Sequence, residues 1–442
     1  MDTGLMTASD KLIYEMRQSG DEGKDISRYE SVMKQILALP PGEEKEERSL
    51  RCLDWMATLS PREDYPYHEP SDWEGIRAAM GTLPDVRPAA PAMDRILGAW
   101  QGRAAGCLLG KPFECVGSKE IRAYFGYEGG EALPDFAYFR MSNREVCKPF
   151  AFRDFLSVER LDGMPSDDDT NYTVLGDELI RRCGHGFTTL DVAELWMSAI
   201  PAHRVCTAER VAYRNLLTLH YPPESATVRN PYREWIGAQI RADYFGYINP
   251  GDPLTAARMA HTEASMTHTR NGIYGAMWVA ATLACAFVTG NAREAARMGM
   301  AFIPQQSRLH AALSRAFEQY RGGFTWNMAM EALCNEWHES NFFEWSHTIP
   351  NAVIVLNSLL YGEKSFGKVV GSAMLYGLDT DCNGATAGSI FGAAYGSEAV
   401  GARWIEPLRG TLYTDIPGRN RVSLTEMARH TAEMIERGER HV

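Results

Sequence analysis

Residues 377–396, GLDTDCNGATAGSIFGAAYG, are the stretch on which the reading of this chain turns. They open with two aspartates one residue apart, Asp379 and Asp381, and run on into a segment built almost wholly of small residues. Gly384, Gly388, Gly392 and Gly396 recur at every fourth position, which on a helix makes one ridge nearly free of side chains. A ridge of that kind admits a neighbouring helix at close range. The stretch therefore predicts a carboxylate pair at the mouth of a tightly packed helical core.

A second segment has the same character. Residues 93–114, MDRILGAWQGRAAGCLLGKPFE, read as a helix with Gly98, Gly102, Ala105 and Gly106 on its packing side. It breaks at Gly110, Lys111 and Pro112 and delivers Glu114 just beyond the break. Residues 165–182, PSDDDTNYTVLGDELIRR, place Asp167, Asp168 and Asp169 where a helix should begin, ahead of an apolar pattern at Val174, Leu175, Leu179 and Ile180. N-capping and the helix dipole account for one of these aspartates. Three in a row repel one another unless a cation or solvent compensates. His268 stands just before an uncharged segment, residues 273–290. A histidine in that place reads first as a structural residue, and Asn271, in a turn-prone position, is equally bland on its own. The uncharged segment could just span a bilayer. Its five alanines, two glycines and two threonines dilute it, and it reads as the central buried helix of an α-helical protein rather than a membrane span.

Composition sets the outer bounds. The 442 residues are 45% hydrophobic and 23% charged, with a net charge of −12, which argues against a nucleic-acid surface. Nine cysteines are scattered without a CxxC pair, a pattern that fits reduced thiols in the cytoplasm. No signal-peptide pattern opens the chain. Residues 1–90 read as an N-terminal helical accessory region: an amphipathic pattern over 10–39, a charged helix start at 43–48, and short helices at 49–59 and 73–83. A proline-rich linker at 84–91 closes it. Residues 91–442 form the expected catalytic domain. Within it the aromatic-rich stretch that follows Glu114, up to residue 155, reads as a long covering loop. No alternating strands, dinucleotide fingerprint, phosphate loop or nucleophile elbow is present, and the chain reads as all-α.

Two acidic groups, DDD and DxD, each at a helix start and some two hundred residues apart, describe an oxygen-rich site. Such ligands suit hard cations, Mg²⁺, Mn²⁺ or Ca²⁺, whereas zinc prefers His and Cys. Cations in such a site can hold a diol or phosphate and activate a water. Glu114 is then available for acid–base work.

From about residue 95 to 404 the chain resembles the ADP-ribosylglycohydrolase family. The family's early glycine helix is matched by GRAAGCLLGKPFE, its DDT block by Asp168, Asp169 and Thr170, its mid-chain histidine by His268, and its late GxDTDxN block by residues 377–392. The resemblance implies an orthogonally packed multi-helix domain with two Mg²⁺ ions, or Mn²⁺ in their place, in a central cleft. It implies Asp167, Asp168, Asp169, Asp379 and Asp381 as metal ligands and Glu114, Asp168 and Asp381 as the catalytic group. His268 and Asn271 are the residues expected to line the substrate site. The implied partner is an ADP-ribosylated protein or a ribose-containing small molecule.

Three positions depart from the family pattern. Cys382 stands where a threonine is usual after DTD, a soft ligand ill suited to Mg²⁺. Asp167 replaces a threonine or serine before DD, and Cys107 replaces an acidic residue. The resemblance thus implies a metal-dependent hydrolase of an ADP-ribosyl glycosidic bond. Hydrolysis of another N- or O-riboside is the first alternative, and a non-catalytic binding member of the family is the second.

Overall fold

The computed structural model describes residues 7–130, 132–140 and 156–439. Nine of its helices carry the architecture. They are α1 (Ala8–Asp21), α2 (Glu30–Leu37), α3 (Glu43–Ala57), α4 (Met93–Gly110) and α5 (Asp168–Cys183). In the second half come α6 (Arg270–Thr289), α7 (Thr348–Tyr361), α8 (Thr380–Tyr395) and α9 (Leu424–Glu439). The fold is all-α, with one small hairpin of β1 (Thr411–Tyr413) and β2 (Arg421–Ser423).

At the centre α4 and α8 run antiparallel with their glycine ridges face to face. A Cβ on Gly102 would lie 2.1 Å from the Gly388 carbonyl oxygen, one on Gly106 2.0 Å from that of Gly384, and one on Gly392 1.9 Å from that of Gly98. Only hydrogen fits between these backbones. Contact at that range also binds the helix ends: Thr380 Oγ1 donates to the Gly110 carbonyl at 3.0 Å. The break after Gly110 and the DxD turn before α8 are thereby held side by side. The two motifs singled out in the sequence prove to be one contact.

α6 packs against α8 and lies inside the protein. It is the one described helix long and apolar enough to cross a membrane, but 89% of its apolar stretch is buried by protein. It is a core helix. α9 closes the other side of α4, with Trp100 Nε1 donating to Thr431 Oγ1 at 3.0 Å.

The hairpin is a feature the sequence reading lacks. Strands of three residues are too short to show an alternating pattern. It nonetheless positions the acidic block: Met164 donates to the Thr411 carbonyl and accepts from the Tyr413 amide, both at 2.9 Å, just ahead of Asp167.

The N-terminal region also differs in detail. The pattern over 10–39 is two helices, because the chain turns at Gly23 with φ +78°, a left-handed conformation favoured by glycine. The charged run 43–48 and the segment after it form the single helix α3. The helix expected at 73–83 is shorter, Trp73–Ala79, and residues 80–92 carry no helix or strand. α1, α2 and α3 share a small core of their own around Leu12, Met33, Ile36, Leu53 and Met56. From there the chain crosses the main body as a strap, and Ile76 is buried in the main core. Part of the expected aromatic covering loop, residues 131 and 141–155, lies outside the described residues.

Candidate metal centre

Asp167 caps α5, its side chain accepting from the Asp169 amide at 3.0 Å. Asp168 and Asp169 follow in the first turn. Opposite them, Gly377 (φ +72°) and Leu378 (φ +56°) turn the chain sharply into α8. A left-handed leucine is strained by roughly 1–3 kcal/mol and persists only where its surroundings fix it. This turn sets Asp379 at the helix start and Asp381 in its first turn. Ligand atoms of Cys107, Asp167, Asp169 and Asp381 lie within 4.8 Å of one another, as do those of Asp379, Asp381 and Cys382. Asp381 belongs to both groups.

The electrostatics are those of crowded, buried carboxylates. Burial, then the charges of Glu114 and Asp167, push Asp381 up to about 7. Burial and the Asp381 charge raise Asp379 well above the ordinary carboxylate range. Asp168 is raised in the same way by burial and by Asp167 and Asp381. Asp169 is raised mainly by burial, with Arg103 pulling the other way. Asp167 differs: burial acts against its charge, but the Lys111 ammonium and the Asp169 amide outweigh it and hold it below the usual value. Oδ1 of Asp381 is buried without a hydrogen-bond partner. Among the described residues no arginine or lysine forms an ion pair with Asp168, Asp379 or Asp381. An orphaned carboxylate oxygen amid uncompensated acids costs stability unless a cation completes it. The oxygen donors at Asp379 and Asp381 fit a hard divalent cation. The neighbouring Cys107 and Cys382 thiols do not, and burial raises both well above their ordinary values.

Three further residues hold this arrangement in place. Arg103, buried within α4, donates to Asp169 Oδ1 at 3.0 Å and pairs with Asp243 at 2.9 Å. Lys111, in the turn after α4, pairs with Asp167. Asn351 on α7 accepts from the Asp379 amide at 3.3 Å and from Asn383 Nδ2 at 2.8 Å. Its own Nδ2 donates to the Trp345 and His347 carbonyls, both at 2.9 Å. The sequence carried a signal for two of them. Arg103 is a charge within a glycine ridge and Asn351 an amide in the apolar run TIPNAVIVLNSLLY, where a buried polar side chain needs a partner.

Glu114 lies at the end of the short turn Lys111–Phe113, near enough for its charge to raise Asp381. The structure thus gathers Glu114 and all five aspartates. His268 lies in an adjoining cluster. It is buried, with Nδ1 2.6 Å from Thr267 Oγ1 and Nε2 4.0 Å from Glu209. Burial and the Arg241 charge hold it well below its ordinary value, so the ring is neutral. Arg241 binds Glu209 at 2.7 Å and Glu263 at 2.6 Å. The cluster backs onto the acidic centre, since the Tyr172 hydroxyl and the Cys206 thiol, each raised first by burial, feel both Glu209 and Asp168. Asn271 is elsewhere. Its Nδ2 donates to Glu69 of the strap at 2.8 Å, and its Oδ1 accepts from the Leu309 amide at 3.0 Å. Protein partners engage it at both ends, and it ties the strap to α6.

The family model described as ADP-ribosylglycohydrolase matches residues 88–440. The chain belongs to the ADP-ribosylglycohydrolase family. The match takes in α4, both acidic blocks and α9. Among solved structures, one described as an "ADP-ribosylglycohydrolase-related protein complex" is 22% identical and covers 78% of this chain and 98% of that one, with a TM-score of 0.47. No curated protein matches the chain.

Proposed function

We propose that this member of the family is a hydrolase that cleaves the glycosidic bond of an ADP-ribosyl group, on a protein or a small molecule, with a divalent cation, Mg²⁺ or Mn²⁺, held by Asp379 and Asp381. The observation that carries this reading is the buried, unpartnered Oδ1 of Asp381 among carboxylates delivered by two helices. A cation bound there would supply a grip on the vicinal ribose hydroxyls and an activated water. The chain's own residues do the rest. Asp381, whose carboxyl sits near neutrality in the metal-free site, gives up its proton to become a ligand. Glu114, near enough for its charge to raise Asp381, takes or returns a proton at the water or the leaving group. Arg103 and Asn351 fix the two acidic turns, so the donors need no rearrangement to bind. His268, neutral and buried behind Glu209, supports the wall of the site.

The test is release of free ADP-ribose from a panel of ADP-ribosylated arginine, serine and nucleic-acid substrates and small-molecule ADP-ribosides. Release from any of these that depends on Mg²⁺ or Mn²⁺ is the expected result. No turnover by protein shown to bind the metal would refute the reading.

A further inference from the structure

We propose that the Lys111 ammonium is a built-in cation that occupies one of the two cation positions of the acidic centre, so that this chain binds a single divalent ion. The inference rests on the reading above in that it assumes a divalent ion binds at all.

The two ligand groups are not equivalent. In the first, formed by Cys107, Asp167, Asp169 and Asp381, the donors are already engaged. Asp167 accepts from the Asp169 amide with Oδ1 at 3.0 Å and from Lys111 Nζ with Oδ2. Asp169 accepts from Arg103 with Oδ1 at 3.0 Å, and its Oδ2 faces the Cys107 sulfur at 3.9 Å. Asp381 alone has an oxygen open. Two fixed cations therefore stand in or beside this group, and Cys107 adds a thiol in place of an oxygen. In the second group, which carries a thiol of its own at Cys382, Asp379 and Asp381 form no ion pair with any described arginine or lysine, and Asp381, shared by both groups, keeps its buried Oδ1 without a partner. One position is filled by the protein and the other is open.

The chain places Lys111 there by construction. The close contact of α4 with α8 ends at Gly110, where a Cβ would meet the Thr380 carbonyl oxygen at 2.3 Å. The next residue begins the turn that leaves α4, beside the first turn of α8, and its side chain is 15% exposed. A lysine in that place reaches Asp167 without leaving the site. Its charge repels a divalent ion from the same position while leaving the carboxylates of the other group to bind one. The ammonium would then balance the charge at one position, and Asp379 and Asp381 would hold the single ion at the other.

Counting ions tests this without reference to activity. Metal-free full-length protein is titrated with Mn²⁺ while free Mn²⁺ is followed by electron paramagnetic resonance. The wild type should bind one ion per chain, with no signature of a coupled Mn²⁺ pair. Lys111→Met, which removes the charge and keeps the stem, should bind two and show that signature, whereas Lys111→Arg should remain at one. Two ions in the wild type would overturn the inference and leave the metal-dependent reading standing. One ion in both wild type and a folded Lys111→Met would overturn it as well. No ion in the wild type would overturn the metal-dependent reading itself and this inference with it. Two ions in the wild type overturn the inference even if Lys111→Met fails to fold, and Lys111→Arg then supplies the variant comparison.

Discussion

Asp381 is where the charges of the site converge. It faces Asp167 and Glu114 and shares a ligand group with Asp379, and its carboxyl sits at about 7 against an ordinary 3.8. A folded-state value above the unfolded one means the metal-free fold holds a proton that the unfolded chain releases. From about pH 4 to pH 7 the metal-free protein therefore loses the stability this group allows, and a bound cation restores it. The rise in melting temperature on adding Mg²⁺ or Mn²⁺ should accordingly be larger at pH 8 than at pH 5. A larger rise at pH 5, by differential scanning fluorimetry, would contradict this assignment. The aspartates themselves were legible in the sequence, because three adjacent acids at a helix start are more than capping requires. Lys111 was not. It directly follows Gly110 at the break of the glycine helix, but nothing in its spacing shows that a turn aims it at an aspartate in another helix. Asn271, bland in the sequence and expected at the substrate site only through the resemblance, has its amide engaged by Glu69 and Leu309, partners distant in the chain.

At the scale of elements, the pairing of α4 with α8 decides the architecture. The four-residue recurrence of glycine predicts a close helix contact, and the structure supplies the partner, a second glycine helix almost three hundred residues earlier. What the sequence could not give was the register. That depends on carbonyls meeting glycines across the interface, at Gly102 with Gly388 and Gly106 with Gly384. Adding a methyl group at such a place forces the backbones apart. Gly102→Ala should destabilise the fold by about 1–3 kcal/mol. Gly186→Ala, where nothing stands within 4 Å of the new Cβ, should be close to neutral. Urea unfolding of both variants checks this, and equal midpoints would mean that the contact is not close. The hairpin β1–β2 escaped the sequence for the opposite reason, since it is too short to carry a pattern, although it anchors the chain just before Asp167.

At the scale of the whole molecule, buried charge joins the N-terminal helices to the main body, beside the packing of Tyr14 against Tyr232 and Trp235. Arg233 pairs with Glu15 and Glu22 of the α1 region, both at 2.7 Å, and Arg308 holds Glu69 of the strap at 2.9 Å and Glu234 at 2.7 Å. Removing one partner of such a buried set leaves unpaired charge behind and costs about 3–5 kcal/mol. Arg233→Ala should loosen α1, α2 and α3 from the main body, so that limited proteolysis cuts between them and the strap well before the wild type is cut. Arg229→Ala, which breaks the more exposed pair with Asp54 at 2.6 Å, should barely change the digestion. Identical patterns for Arg233→Ala and the wild type would mean that the apolar contacts of the strap suffice. The main body beneath carries the family's match and the acidic centre. The most direct measurement is free ADP-ribose released from an ADP-ribosylated substrate by chelator-stripped protein, before and after Mg²⁺ or Mn²⁺ is restored, with Asp381→Asn alongside. Release should be absent in the stripped protein, return with the cation, and be lost in Asp381→Asn. Release that persists in the stripped protein, or survives in Asp381→Asn, would contradict it.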